Sequence, residues 1–414
     1  MRILAIETSC DETAVAVLEA EGTPDTASFK VRGNALYSQA GKHAAFGGVY
    51  PDLAKREHAA NLVPLLHAAL TESRLRVDEP TNLSSDKQQH LRELLVREEA
   101  LVNALIPYLR NHGKPSVDAI AVTQGPGLEP ALWVGVNFAR ALANVWDLPI
   151  IPVNHLEGHI IASAVASHAD QPSRFTVDQM QFPLLGLVLS GGHTEFIYAP
   201  SWGDYSVVGT TRDDSIGEAF DKVARLLGIP YPGGPGISAL AHTYRTARKA
   251  KVSAPLAKRP RFLPRPMEHS PDLDFSFSGL KTAVLYHVRE LGELSDEDKG
   301  KIAEEFEEAV TDVVLAKTKR ALETYPAATF VIGGGVSANS YLRARISGFF
   351  AHHALDTSLR LPAIGLSTDN AVMIGMAGYF MHLRGANTLS AHEPLRADGT
   401  LSMHTPRETD EAQP

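Results

Sequence analysis

The chain has 414 residues, more than one hydrophobic core usually organises, so we expect about two or three domains. Hydrophobic content of 44% and charged content of 21% are those of an ordinary globular protein, and the net charge of −9 argues against a protein that coats nucleic acid with a wholly basic surface. Cys10 is the single cysteine, which excludes an intrachain disulfide, and neither a signal peptide nor a long apolar run is present. These features predict a cytoplasmic protein without a membrane span.

The chain begins with a strand–turn–strand pattern, and a related pattern occurs far downstream. Each unit has two apolar, β-prone runs joined by a small, polar turn. The strand pairs are 2–7 with 14–18 and 184–189 with 195–198, and the turns between them are 8–13 and 190–194. Two such units predict a duplicated α/β fold with two similar lobes.

Apolar residues at helical spacing alternate with short strands along the rest of the chain. The predicted helices lie at 52–71, 132–146, 216–227, 301–322 and 371–380, and a buried strand is predicted at 329–332. This alternation predicts sheets covered by helices. We expect lobe I at residues 1–150, completed by a segment at about 370–400, and lobe II at residues 151–369.

Residues 72–114 have the character of an insertion in the first lobe. A polar stretch is followed by a charged, helix-prone run at 86–110, which predicts an extra surface helix packed on lobe I. The alternative is a dedicated partner site. One apolar stripe can be formed by Leu91, Leu94, Leu95, Leu101, Leu105 and Tyr108. Residues 405–414 are polar and are expected to be disordered.

His155 and His159 are four residues apart in the sequence Val-Asn-His-Leu-Glu-Gly-His. On a helix this spacing puts both imidazoles on one face, where they can reach one metal ion. The zinc-protease motif has a glutamate directly after its first histidine, but Leu156 stands there, and Glu157 projects to another side. The pair therefore suits metal binding and not the usual protease mechanism. The alternative is a pair of histidines on a helix that merely packs.

Asp369 precedes the apolar helical run at 371–380 and has two interpretations. It can be the N-cap of that helix, a role that needs no metal. It can also complete a face of two histidines and one carboxylate, which leaves coordination positions open for a substrate. Sequence spacing does not decide between them.

Glycine-rich turns follow two of the predicted strands, at Ser190-Gly191-Gly192 and Gly333-Gly334-Gly335. Small residues let backbone N–H groups approach phosphate oxygens closely. Neither turn has the P-loop ending Gly-Lys-Ser/Thr or the pattern Gly-x-Gly-x-x-Gly, and each alone is also typical of a tight turn. Two of them in a duplicated chain indicate a nucleotide held between the lobes.

Basic residues are clustered from 245 to 265 with no acidic residue among them, which fits either a solvated loop or a contact to an RNA backbone. They are Arg245, Arg248, Lys249, Lys251, Lys258, Arg259, Arg261 and Arg265. Cys10 lies in the first polar turn, where no partner for a nucleophile is nearby in sequence, and we interpret it as a small packed residue.

Eight short motifs occur in order at 6–13, 153–159, 189–194, 217–222, 231–235, 274–282, 334–339 and 368–370. Together they resemble the bacterial TsaD family of tRNA N6-adenosine threonylcarbamoyltransferases. The resemblance runs from about residue 1 to residue 377 and is interrupted by residues 72–114. It implies the actin/Hsp70/sugar-kinase (ASKHA) fold, with two lobes around a nucleotide-binding cleft.

The resemblance also implies an activity and its cofactor. Members transfer a threonylcarbamoyl group from threonylcarbamoyl-adenylate to N6 of the adenosine just 3′ of the anticodon, in tRNAs that read codons starting with A. By this resemblance His155, His159 and Asp369 bind a divalent metal, usually Fe2+ and sometimes zinc.

The family's remaining site positions are carried over in the same way. Asp11 and Glu12 match acidic residues near the reacting group, and our hypothesis is that Glu12 is the catalytic base that accepts the amine proton. The residues that match donor-binding positions are Val188, Leu189, Ser190, Gly191, Gly192, Asp221, Gly234 and Asn339. The chain departs from many relatives at Asn154, where histidine is common, and at Leu156, where methionine is common.

Three other functions are considered. A metallopeptidase, the older glycoprotease description, is opposed by the missing His-Glu-x-x-His motif. A non-catalytic scaffold should have lost the two histidines, and sugar kinases of this fold lack them. Family members usually work with a degenerate TsaB-type paralogue, a TsaE-type P-loop ATPase and the enzyme that makes the adenylate donor, although some organelle versions act alone as homodimers.

Overall fold

Two β-sheets form the centre of the molecule in the computed structural model, which describes residues 1–81, 83–178, 180–251, 261–353, 356–386 and 388–403. The first sheet has the strand order β5-β4-β1-β2-β3-β7-β6 and the second the order β10-β9-β8-β11-β12. The first comprises β1 (Arg2–Glu7), β2 (Glu12–Glu21), β3 (Ser28–Ser38), β4 (Ala119–Gly125), β5 (Ile150–Asn154), β6 (Val165–His168) and β7 (Gln171–Val177). The second comprises β8 (Leu184–Leu189), β9 (Thr194–Ser201), β10 (Asp204–Thr210), β11 (Thr329–Gly333) and β12 (Ser358–Arg360).

The two sheets repeat one arrangement of five strands. In each, three consecutive antiparallel strands are followed by two parallel ones, giving β3-β2-β1-β4-β5 in the first and β10-β9-β8-β11-β12 in the second. The shared order confirms the predicted duplicated α/β fold. Strands between residues 150 and 177 belong to the first sheet, so the sheets divide the chain at 178–183. The lobe bounds given above stay a prediction, because a sheet alone does not define a lobe.

Thirteen α-helices occur among the described residues. They are α1 (Ala40–His43), α2 (Pro51–Glu72), α3 (Ser85–Leu94), α4 (Glu99–Asn111), α5 (Glu129–Trp146), α6 (His155–Ala164), α7 (Ile216–Leu226), α8 (Gly233–Lys251), α9 (Ser278–Leu291), α10 (Asp296–Thr324), α11 (Ser340–His352), α12 (Ile364–Ser367) and α13 (Ala371–Leu383). All five helices named from sequence are present. Helix α10 begins earlier than predicted because Ser295 and Asp298 form a capping box. No described helix has the length and apolar character to cross a membrane.

The segment 72–114 contains two helices, so the single helix expected over 86–110 is wrong. The chain turns after Leu95, and Glu98, buried beside Lys55, precedes the second helix. Leu91 and Leu95 before the turn and Leu101 after it are fully buried in the core that also holds α2 and α5. The segment therefore packs on the first lobe. The tail at 405–414 lies outside the described residues.

Helix α6 is held between the two sheets, and this position determines where the histidine pair lies. Ile161 packs in the core of the first sheet together with α13, whereas Leu156 and Ile160 pack against strands of the second. Every residue of α6 is buried as a result. A polar side chain on this helix must therefore find a partner inside the protein.

Candidate metal centre and donor cleft

The first turn of α6 begins directly after β5. Asn154 caps the helix, its side-chain oxygen accepting a hydrogen bond from the backbone amide of Leu156 at 2.9 Å. His155 and His159 lie on one helical face as predicted, with their ring centroids 4.7 Å apart. Asn154 and Leu156, the two departures noted above, thus cap the helix and pack in the core without taking a ligand position.

Asp369 faces the histidine pair from the loop before α13. Its Oδ1 lies 3.4 Å from His155 Nε2 and 3.2 Å from His159 Nε2. The N-cap of α13 is Asn370, whose side-chain oxygen accepts from the Met373 amide at 2.9 Å. The capping alternative for Asp369 is therefore wrong, because its neighbour fills that role and leaves the aspartate free to point at α6.

The three side chains fit a metal ion. One ligand atom from each lies within 4.8 Å of the others. A metal with bonds of about 2.1 Å would hold adjacent ligand atoms roughly 3.0–3.4 Å apart, which matches both distances to Asp369. Neither ring nitrogen of buried His159 makes a well-aligned hydrogen bond with a described residue. A bound cation would remove that deficit at Nε2.

Glu7 completes the environment of His155, and sequence reasoning gave it no role. It is fully buried at the end of β1, and its Oε2 lies 3.1 Å from His155 Nδ1. Its carboxylate also accepts from the Ser9 amide and the Thr123 hydroxyl, both at 2.5 Å. A hydrogen bond at Nδ1 selects the tautomer that presents Nε2 to a metal. The sequence did contain a signal for this role, because Glu7 is a carboxylate at the end of the apolar strand Arg-Ile-Leu-Ala-Ile-Glu.

The carboxylates change the protonation of the histidines. Burial lowers the pKa of His155, but Asp369 and Glu7 outweigh it and raise the pKa to about 10. Burial lowers the pKa of His159. The pKa of Asp369 is held low, since attraction to His155 overcomes its burial. Without a metal, one proton is therefore retained on His155 at neutral pH.

Metal binding is expected to strengthen as pH rises. A raised pKa keeps His155 protonated below that pKa, and a ligating ring must be neutral, so binding releases a proton. The apparent affinity should rise by up to about tenfold per pH unit between about pH 6 and pH 9. Titration of metal-free protein with Zn2+ across this range, with proton release measured in parallel, tests the expectation. A pH-independent affinity contradicts it.

The turn between β1 and β2 brings two more carboxylates to the site. Burial, Asp11 and Asp369 raise the pKa of Glu12 to about 10, and the Ser38 hydroxyl donates to it at 3.0 Å. Burial and the same carboxylates also raise the pKa of Cys10. A thiol in that setting stays protonated, which supports the interpretation of Cys10 as a packed residue.

The first glycine turn follows β8. Val188 and Leu189 have fully buried side chains, so their backbone alone is available to a ligand. The Ser190 hydroxyl accepts from the backbone amides of Gly192 and His193 at 3.3 and 3.0 Å and holds the turn. Burial, with His155 and His159 nearby, lowers the pKa of His193 to about 4. Val188 packs in one cluster with Leu156 and Ile160 of α6, so the turn that follows β8 lies beside the helix of the histidine pair.

Gly191 and Gly192 border open space, since a Cβ added at either would meet nothing within 4 Å. Helix α7 closes behind them. A Cβ at Gly217 would lie 2.7 Å from the Ser190 carbonyl oxygen, and the Ser215 hydroxyl donates to the Gly191 carbonyl at 2.5 Å. The turn is therefore rigid on one side and accessible on the other, as a backbone cradle for an anion requires.

The other predicted donor-binding residues converge from three helices. The Asp221 carboxylate on α7 accepts from the Gly233 amide at 2.7 Å, where α8 begins. Gly234 borders open space. The Asn339 amide, at the start of α11, donates to Ser238 on α8 at 2.8 Å. Burial raises the pKa of Asp221. The structure thus joins these positions through hydrogen bonds.

The second glycine turn, residues 333–335, lies between α6 and the first glycine turn. Gly334 has φ 84°, and a Cβ there would lie 2.4 Å from the Leu189 carbonyl oxygen. A Cβ at Gly333 would lie 2.9 Å from the His159 carbonyl oxygen. No other residue type allows the backbone to approach both neighbours this closely.

Gly334→Ala is expected to lower the free energy of unfolding by about 2–4 kcal/mol, because a positive φ and a backbone clash act together. Urea unfolding measures the loss. Gly335→Ala is the matched control, since a Cβ there meets open space. Equal stability of the two variants would show that the turn can rearrange.

Two contacts join α7 and the segment after it to the N-terminal part of the chain. The Tyr231 hydroxyl donates to Asp11 at 3.0 Å. Arg225, one helical turn after Asp221, donates to the carbonyl of Gly47. The β1–β2 turn and the loop between α1 and α2 are thereby tied to α7 and to the segment that follows it.

The described part of the basic run is paired with carboxylates of α10. Arg245 contacts Glu307 and Arg248 contacts Glu304, each at 2.8 Å, and Arg265 contacts Glu305 at 2.5 Å. These arginines are neutralised within the fold, which favours a structural role for them. Residues 252–260, with Lys258 and Arg259, lie outside the described residues, as do the side chains of Lys249 and Lys251.

A family model described as TsaD, tRNA N6-adenosine threonylcarbamoyltransferase, matches residues 30–83 and 88–376. The chain belongs to the TsaD family. A tRNA N6-adenosine threonylcarbamoyltransferase of Bacillus thuringiensis (strain Al Hakam) is 39% identical over 387 residues, covering 92% of each chain. One from Lacticaseibacillus casei (strain BL23) is 38% identical over 405 residues, covering 97% of each. A ROK family glucokinase from Streptomyces griseus has a TM-score of 0.39 at 11% identity, covering 92% of this chain and 99% of its own.

Membership of the TsaD family makes the chain a transferase, and the repeated strand order agrees with the duplicated α/β fold expected from the sequence. The relatives described here are transferases and give no support to a metallopeptidase or a scaffold. The TsaD match breaks only at residues 84–87, inside the segment interpreted as an insertion.

Proposed function

We propose that this chain carries out the TsaD reaction with the donor, threonylcarbamoyl-adenylate, held between its two glycine turns and beside the His155–His159–Asp369 group. The acceptor is N6 of the adenosine 3′ of the tRNA anticodon. The observation that carries the proposal is the placement of an open backbone cradle, residues 190–192, next to three side chains that fit a metal. Because the acceptor is tRNA, we expect the reaction in the cytoplasm.

The proposed reaction needs no nucleophilic side chain, because N6 of the acceptor adenosine is itself the nucleophile. N6 attacks the carbamoyl carbon, the bond from that carbon to the phosphate oxygen breaks, AMP leaves, and N6 loses one proton. AMP is a good leaving group, whereas an exocyclic adenine amine is a poor nucleophile, so positioning supplies much of the rate. A metal bound at His155, His159 and Asp369 would supply Lewis-acid polarisation of the donor. We propose Fe2+ first, with zinc as the alternative.

The residues of the chain hold the donor in this scheme. The open backbone at Gly191 and Gly192 would let the donor phosphate approach the turn closely, and Glu7 keeps the His155 ring in one orientation. Asp221 and Asn339 stabilise the surrounding helix ends. The anticodon base must leave its stack to reach this site.

Glu12 remains our proposal for the base, and its raised pKa sets a condition. A carboxyl with a pKa near 10 is protonated at neutral pH and cannot accept a proton. Asp369 contributes to that shift, so neutralising its charge lowers the pKa of Glu12. A cation bound at Asp369 would therefore shift Glu12 toward the ionised form that a base requires.

Glu12→Gln is expected to lower the rate of transfer from bound donor by about 10²–10⁴-fold, because the proton on N6 loses its acceptor. Single-turnover assays with excess donor measure that rate, and donor binding should be unchanged. Glu21→Gln, an exposed change on the same strand, is the control. A wild-type rate for Glu12→Gln would exclude the role.

Nucleoside mass spectrometry of tRNA tests the proposed function. Purified protein, purified donor and unmodified tRNA should yield threonylcarbamoyladenosine at the position 3′ of the anticodon. We propose that TsaB-type and TsaE-type partners increase turnover, and parallel reactions with and without them measure this. Absence of the nucleoside in both reactions would contradict the proposal.

A further inference from the structure

The loop between α1 and α2, residues 44–50, carries two exposed aromatic side chains. Phe46 is 58% exposed and Tyr50 46% exposed, and their rings stack with centroids 5.3 Å apart and planes 15° from parallel. Gly47 between them has φ 68°, a left-handed conformation that turns the chain. A stacked aromatic surface left open to water is typical of a binding surface.

Buried side chains hold the loop from below. His43 Nδ1 accepts the backbone amide of Tyr50 at 3.2 Å, and its Nε2 lies 3.1 Å from the Gln39 side-chain oxygen. Both His43 and Gln39 are completely buried. The backbone of the aromatic pair is therefore fixed by the interior and does not depend on a ligand for its shape.

The same buried network reaches the turn between β1 and β2, which carries Asp11 and Glu12. Gln39 contacts His58 at 3.3 Å, and His58 donates to the Cys10 carbonyl at 3.0 Å while accepting from Thr13 at 2.8 Å. Burial lowers the pKa of His58 to about 4, so the ring is neutral with one donor and one acceptor. Cys10 and Thr13 flank Asp11 and Glu12. The position of the aromatic pair is thus coupled to that of the two carboxylates.

A cation lies on the other side of the loop. Arg225 is exposed and donates to the Gly47 carbonyl, between the two aromatic residues in sequence. It is carried by α7, the helix of Asp221. Stacked aromatic rings with a guanidinium beside them are the combination that binds unpaired nucleotides.

We propose that Phe46 and Tyr50 form a stacking platform for an unpaired base of the tRNA anticodon loop, next to the adenosine that enters the site. This inference rests on the proposed function, since it assumes a tRNA acceptor. Extracting one base from a loop leaves its neighbour unstacked, and an aromatic surface restores that contact. Stacking tolerates any base, so the platform adds affinity without restricting the neighbouring nucleotide.

Fluorescence anisotropy with a labelled, unmodified anticodon stem-loop RNA tests the platform without requiring turnover. The Phe46→Ala and Tyr50→Ala variants should each bind about 5–100-fold more weakly than wild type. The slope of log Kd against log salt should stay unchanged, because no phosphate contact is lost. Arg225→Gln should instead reduce that slope. Phe46→Trp should bind as wild type does, because it keeps an aromatic face.

Tyr286→Ala, which removes an aromatic side chain 63% exposed on α9, is the matched control and should bind as wild type does. In transfer assays Phe46→Ala should raise KM for tRNA while the hydrolysis of donor without tRNA stays unchanged. If the Phe46→Ala and Tyr50→Ala variants bind the RNA as tightly as wild type does, the platform is overturned. This holds even if turnover in the presence of partners falls. Failure of wild type to modify tRNA would instead count against the proposed function.

Discussion

His159→Ala is expected to remove the bound metal and to lower the transfer rate on the order of a thousandfold, the scale of several kcal/mol of lost transition-state stabilisation. Both effects follow from one geometry. The His159 ring is buried, directs Nε2 at Asp369 Oδ1 from 3.2 Å, and has no well-aligned hydrogen bond to a described residue. If the ring served only to pack, burying two ring nitrogens without hydrogen bonds would destabilise the folded state.

Asp369→Asn separates loss of metal from loss of fold. It keeps the shape of the side chain and removes the charge that both histidines face. It should lose metal as His159→Ala does while its thermal unfolding stays near that of wild type. Metal content by mass spectrometry and modified nucleoside per tRNA are the two measurements. His168→Ala, on the outermost strand of the first sheet, is the control histidine and should keep both. Metal content equal to wild type in Asp369→Asn would contradict the three-ligand site.

Glu157→Ala is expected to destabilise the protein by about 3–5 kcal/mol, the usual cost of removing one partner from a buried ion pair. Glu157 is almost completely buried on α6, where it accepts from Arg384 at 2.7 Å and from the Tyr205 hydroxyl at 2.9 Å. Arg384 follows α13, which packs on the first sheet, and Tyr205 lies on β10 of the second sheet. The Glu157 carboxylate therefore links α6 to elements of both sheets. Its loss leaves a largely buried guanidinium without a counter-charge.

Urea unfolding measures the change in the free energy of unfolding. Two further variants separate the contribution of the ion pair from that of the hydrogen bond. Glu157→Gln should cost less, because the amide oxygen still accepts from Tyr205. The double variant Glu157→Leu with Arg384→Met should recover much of the stability, since apolar residues of similar size often replace a buried ion pair. Glu21→Ala, which breaks an exposed contact to Arg174, should change stability by less than about 0.5 kcal/mol. A similarly small effect at Glu157 would contradict the structural role.

Local geometry explains why parts of the site were predictable. Four-residue spacing places two side chains on one face of any α-helix, so His155 and His159 were paired correctly without knowledge of the fold. Each glycine turn was recognised because it follows an apolar strand. The order of eight motifs identified the family and with it the activity. All of these depend on residues close together in the chain.

Packing decided the rest. Asp369 was ambiguous between cap and ligand until Asn370 proved to be the cap. The basic run was left open between a solvated loop and an RNA contact, because the carboxylates that pair with its described arginines are on a different helix, at Glu304, Glu305 and Glu307. The helix expected over 86–110 broke because burial of its leucines in the core prevailed over helical propensity.

The sequence by itself determined the duplicated strand pattern, the helical histidine pair and the family. Only the tertiary structure brought Asp369 and Glu7 to that pair and linked the loop of Phe46 and Tyr50 to the β1–β2 turn through buried hydrogen bonds. The physical reason is that periodicity acts over a few residues, whereas these contacts join chain segments whose approach depends on how the two sheets enclose α6. The candidate metal site is a consequence of that enclosure, whereas the proposed platform depends on the buried contacts of His43, Gln39 and His58.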